Sequence, residues 1–98
     1  MQDKLKKIIE NYGVLHQLKH FQSETYELAE AILFNELTTN FYGDREHIVE
    51  EIADVMVMLE QFKLHYGIKE EELKDIMEYK INRQLERIKK ENNNVQQR

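Results

Sequence analysis

Cysteine is missing from this 98-residue chain. That excludes disulfide staples, thiolate nucleophiles and cysteine-based zinc sites together, and it agrees with a reducing compartment. Proline is missing too, so no residue of that kind interrupts a helix from within. Glycine occurs three times only, as Gly13, Gly43 and Gly67. No apolar stretch approaches the roughly 20 residues needed to span a bilayer. Met1 to Lys7 is mostly polar and lacks the apolar run of a secretory signal, which makes the cytoplasm the expected compartment. A basic excess is also lacking: 14 Lys and Arg stand against 19 Asp and Glu, for a net charge of −5 and a pI near 5.4. So acidic a chain is a poor ligand for nucleic acid or an anionic membrane, and neither is expected as a partner.

What is present speaks for helices. Hydrophobic residues make up 41% of the chain and charged residues 34%, with the Glu, Lys, Leu and Ile content of an α-protein. Each glycine stands where a helix would stop. Gly13 and Gly67 read as residues just past a helix end, where a left-handed backbone suits glycine. Asp3 and Asp44 read as N-caps, and Glu70, Glu71 and Glu72 place negative charge at the start of a helix. The expected fold is all-α, with four helices at about 3–12, 14–38, 45–66 and 70–91 and a short loop from Thr39 to Gly43. Residues 1–91 form one domain in this reading, followed by a polar, frayed tail from Asn92 to Arg98. A chain this short buries only roughly 60–65% of its unfolded surface. Its helical bundle is therefore expected to be completed by a second subunit.

The third helix carries the strongest signal. From Ile52 to Leu59 it is apolar at every position except Asp54. A helix apolar nearly all round is buried on more than one side, which again favours a homo-oligomer and puts Asp54 in or beside the buried surface. A buried carboxylate has to be paired, protonated or bound to a metal. Glu51 lies one turn earlier on the same face, and the second helix repeats the spacing with Glu24 and Glu27. If the two helices pack antiparallel, the pairs face each other. Four carboxylates meeting across a helix pair make a hard-oxygen site suited to Mg²⁺, with Mn²⁺ as a substitute.

The segments Glu24-Thr-Tyr-Glu27-Leu28 and Glu50-Glu51-Ile-Ala-Asp54-Val55 resemble the ExxE and ExxD motifs of the MazG-like nucleoside triphosphate pyrophosphohydrolases, of the all-α NTP pyrophosphatase superfamily. The similarity extends to Tyr12-Gly13, His16-Gln17, Met58 to Phe62, and Lys80 with Arg83, and so covers nearly the whole chain. It implies that Glu24, Glu27, Glu51 and Asp54 bind Mg²⁺ and are the catalytic residues. The implied reaction cuts an NTP or dNTP to a monophosphate and pyrophosphate. It also implies a homodimer or homotetramer. Two positions depart from the family pattern. Ser23 stands where a Glu-Glu doublet usually opens the first motif, and Glu78 where Asn often precedes the basic residue of the last helix.

The physics agrees with that chemistry, because four carboxylates can accept a polyanionic triphosphate only through a bridging cation. The expected step is in-line attack of water on the α-phosphorus; which carboxylate orients the water, Glu50 included, stays open. Lys80 and Arg83, one turn apart, are candidates for the β- and γ-phosphates, against the alternative of a solvated charged face. Gln17 and His20 are candidates for the nucleotide pocket. His16 and His20 have the i, i+4 spacing of two zinc ligands but no third ligand nearby. A di-iron carboxylate bundle would need Glu three residues before a His on two helices, and none of the four histidines has one. A non-catalytic helical module that binds nucleotides or a protein is the remaining rival.

Overall fold

The computed structural model describes residues 1–38 and 45–96, with side chains to residue 94. Four helices account for nearly all of these: α1 (Gln2–Tyr12), α2 (Val14–Leu37), α3 (Arg45–His65) and α4 (Glu70–Gln96). There is no strand among the described residues, as an all-α reading requires. No helix there is long and apolar enough to cross a membrane. The expected loop from Thr39 to Gly43 and the cap placed at Asp44 lie outside the described residues.

The helix ends follow local chemistry. Gly13 both closes α1 and opens α2. Its N–H donates to the Ile9 carbonyl at 2.8 Å, and its own carbonyl accepts from Gln17 at 3.1 Å. Its φ of 84° is in the region that only glycine enters without strain. Gly67, with φ 64°, ends the third helix in the same manner, donating to the Leu64 carbonyl. Lys63 and His65 in the last turn of α3 and three glutamates in the first turn of α4 suit the respective dipole ends. Asp3 is inside the first turn of α1, because the helix begins one residue earlier and Met1 is its N-cap. The last helix runs to Gln96, five residues past the expected end at Glu91, and takes in part of the polar tail. Asparagine only mildly disfavours a helix, and no proline or glycine stops this one.

The chain divides into two compact units, Met1–Gly67 and Ile68–Arg98. In the first, α2 and α3 run antiparallel. Gln17 meets Gln61, Glu24 approaches Asp54, and Phe34 shares a cavity wall with His47, so positions rise along one helix as they fall along the other. Helix α1 packs on both. Leu5 and Ile9, one turn apart, are its buried face, and with Met58 they form a small apolar core. Phe21 and Phe62 add an edge-to-face contact across α2 and α3, with ring centroids 5.4 Å apart. The second unit is one 27-residue helix whose described residues include none that is buried.

Candidate metal centre

The i, i+3 spacing aims the carboxylates of each helix at its partner. Antiparallel packing then brings three of the expected four together. Ligand oxygens of Glu24, Glu51 and Asp54 lie within 4.8 Å of one another, Glu24 from α2 and the other two from α3. Glu27 is exposed and outside this close group, although it is near enough to Glu51 to perturb it electrostatically. The burial expected for Asp54 falls on Glu51 instead. Glu51 is 9% exposed, while Asp54 is exposed in the single chain with its carboxylate still at the cluster.

The electrostatics are those of a site short of positive charge. Burial is the main reason the Glu51 carboxyl is raised above its ordinary value of 4.5. The neighbouring Glu27 carboxylate adds to this, His47 opposes it, and Asp54 and Glu24 raise it further. Among the described residues no Lys or Arg pairs with the three carboxylates. Their basic neighbours are histidines one turn upstream. His20 donates from Nε2 to Glu24 Oε1 at 2.9 Å, and His47 Nε2 lies 3.8 Å from Glu51 Oε1. The other oxygens, Glu24 Oε2 and Glu51 Oε2, are buried with no hydrogen-bond partner. Two orphaned anionic oxygens facing a third carboxylate are what a divalent cation would satisfy, and an all-oxygen donor set suits Mg²⁺ or Mn²⁺.

Two cavities flank the cluster. One, of about 960 Å³, is bounded by Glu27, Glu51 and His47 together with apolar residues such as Phe34, Leu37 and Ile48. The other, of about 480 Å³, runs from Glu24 and Asp54 to Tyr12, His16, Gln17 and Gln61. His20 borders this second cavity, engaged with Glu24. Gln17 does so as a buried residue, 2% exposed, with its amide already bonded to Gln61 and His16. His16 and His20 therefore have separate partners. Lys80 and Arg83 belong to the second unit, where the Arg83 guanidinium lies 5.9 Å from the ring centre of Tyr79.

Sequence reasoning passed over two participants, His47 and Gln61. The first was visible in principle. His20-x₃-Glu24-x₂-Glu27 and His47-x₃-Glu51-x₂-Asp54 are the same pattern on two helices, with a histidine stacked one turn above each acid. The second was not visible, because nothing local marks a glutamine whose partner is 44 positions away. No protein-family model, curated protein or solved structure matches the chain. The likeness to the MazG-like enzymes rests on the motifs themselves.

Proposed function

We propose that the chain is a Mg²⁺-dependent nucleoside triphosphate pyrophosphohydrolase, with Mn²⁺ able to replace Mg²⁺. One observation carries this reading: three carboxylates from two helices converge, and two of their oxygens are buried without a partner. Glu24, Glu51 and Asp54 would hold the ion, and Glu27, on the Glu51 side, is the fourth acid available to it. When bound, the ion supplies positive charge for a triphosphate and polarises its phosphoryl oxygens. His20 holds one Glu24 oxygen and so aims the other at the cluster. His47 stands in the corresponding place beside Glu51. Hydrolysis at the α-phosphorus would release pyrophosphate and leave the monophosphate. Lys80 and Arg83 belong to the second unit and have no part in holding the ion.

A second subunit is part of the proposal. On α3, Val49, Ile52, Met56 and Leu59 follow i, i+3, i+7, i+10 spacing and are all 41–55% exposed. On α2, Leu15, Leu18, Leu33 and Leu37 are exposed as well. These exposed apolar rows support association, and a homodimer or homotetramer would cover them. Light scattering at micromolar concentration tests this, and a monomer mass contradicts it.

Incubating the protein with each NTP and dNTP in Mg²⁺ and measuring pyrophosphate tests the reaction. Release from at least one of them is expected. A folded protein that binds Mn²⁺ and turns over none would be a non-catalytic nucleotide- or protein-binding module, the alternative that Ser23 favours by removing a family carboxylate.

A further inference from the structure

We infer that the 480 Å³ cavity beside the carboxylates receives the nucleobase and that His16 makes it select bases with an amino group at purine C6 or pyrimidine C4, adenine and cytosine, over guanine and uracil, which carry a carbonyl there. This rests on the nucleotide reading above and names the substrate within it. The cavity has two chemically different ends. Glu24 and Asp54 form one, the end that would meet metal and phosphate. Tyr12 and His16 form the other, stacked with ring centroids 4.8 Å apart and planes 14° from parallel. A stacked aromatic pair with the exposed Tyr12 face at its edge suits a planar heterocycle, whichever base it is.

Discrimination comes from a relay of hydrogen bonds that begins at a group with only one possible role. The Val57 carbonyl can only accept, and Gln61 Nε2 lies 3.4 Å from it, with the Met58 sulfur as a second acceptor at 3.8 Å. Gln61 must therefore turn Oε1 towards Gln17, whose Nε2 donates to it at 2.8 Å. That leaves Gln17 Oε1 facing His16 Nδ1 at 2.9 Å. An amide oxygen can only accept, so the proton of a neutral His16 ring is on Nδ1 and Nε2 holds the lone pair. Reversing either amide would set like atoms against each other where Gln17 is 2% and Gln61 1% exposed, with little water to relieve them. His16 thus offers its free nitrogen as an acceptor. With the C6 substituent of a purine or the C4 substituent of a pyrimidine against that nitrogen, adenine N6 and cytosine N4 donate to it, whereas guanine O6 and uracil O4 are acceptors and oppose it.

The test combines a spectrum and a binding panel. Long-range ¹⁵N–¹H spectra at pH 8, assigned by the signal missing from His16→Phe, should give the Nδ1–H tautomer for His16. Calorimetry with the α,β-methylene analogues of ATP, CTP, GTP and UTP in Mg²⁺ should give about tenfold tighter binding of the ATP and CTP analogues. His16→Phe keeps a ring for stacking and lacks the acceptor. It should bring the four affinities together while Mn²⁺ affinity is retained. An Nε2–H tautomer, equal affinities in the unaltered protein, or a preference that survives in His16→Phe overturns the inference. Equal affinities with pyrophosphate release intact overturn it alone. Failure of every analogue to bind the folded, Mn²⁺-binding protein overturns it together with the pyrophosphohydrolase reading.

Discussion

Residues 1–67 and the helix that follows them use polar side chains in opposite ways. In the first unit the buried positions include Gln17, Glu51 and Gln61, as many as the apolar Leu5, Ile9 and Met58. Among the described residues of α4 the polar side chains are exposed, and the apolar Ile76, Met77, Ile81, Leu85 and Ile88 are each about half exposed, with Leu73 less so. Water removed from a polar group is unfavourable unless a partner replaces it. A unit that buries as many polar as apolar residues therefore has to pair them, as Gln17 is paired with Gln61, or leave them unsatisfied, as Glu51 Oε2 is. A long helix with a one-sided apolar stripe and no buried residue has the pattern of a surface element that gains stability from association.

The sharpest way to break that comparison is at the carboxylates. Glu51→Gln or Asp54→Asn should lower Mn²⁺ affinity and pyrophosphate release by at least about 100-fold, since even residues that merely support metal ligands are worth 10–100-fold. Calorimetry and the pyrophosphate assay read this, with circular dichroism confirming an unchanged helical signal. Lys80→Gln, in the second unit, should leave Mn²⁺ affinity unchanged. Equal losses from both changes would erase the distinction between the units.

Packing gives the next largest contrast. Met58→Ala, at a position 2% exposed, should destabilise by about 2–5 kcal/mol in urea unfolding. Ile81→Ala, at one that is 54% exposed, should cost no more than about 0.5 kcal/mol in dilute protein. An Ile81 effect that grows with protein concentration would show that association covers the stripe.

Backbone strain comes third. A Cβ added at Gly13 or Gly67 meets no atom within 4 Å, so only the positive φ opposes alanine there. Gly67→Ala should cost roughly 1–2 kcal/mol, and Gly13→Ala, whose ψ of 155° lies in a region almost only glycine enters, roughly 1–3 kcal/mol. Thermal melts measure it, and no loss at Gly13 would mean that the α1–α2 junction relaxes.

The smallest expected effect is a tilt with pH. Because the Glu51 carboxyl is raised in the folded protein, the fold holds a proton that the unfolded chain gives up. The penalty is absent below the ordinary value of 4.5, grows as pH rises, and is complete above the raised value. Melts in EDTA should thus show the metal-free protein losing stability across that window relative to Glu51→Gln, which lacks the titration. Parallel pH profiles for the two proteins would show that the Glu51 carboxyl is not raised in the fold.

Much of this architecture could be read from local spacing. Helices placed by apolar period and glycine stops came within one residue of the observed bounds, apart from the far end of α4, because both signals act over a single turn. The pairing of Glu24 with Glu27 and of Glu51 with Asp54 on shared helix faces is equally local. The exceptions are instructive. Asp3 was a plausible cap, yet a cap depends on which residue first leaves helical geometry, and here that is Met1.

The amino-acid order alone therefore determined the four helices and which acids share a face, since residues three and four apart are neighbours on any α-helix. Tertiary structure alone decided that Glu24 joins Glu51 and Asp54 while Glu27 stays at the rim. It alone chose Glu51 as the buried acid, and joined Gln17 to Gln61 across 44 positions of sequence. Those outcomes depend on how far one helix is rotated and slid along another, and no single turn of sequence encodes either quantity.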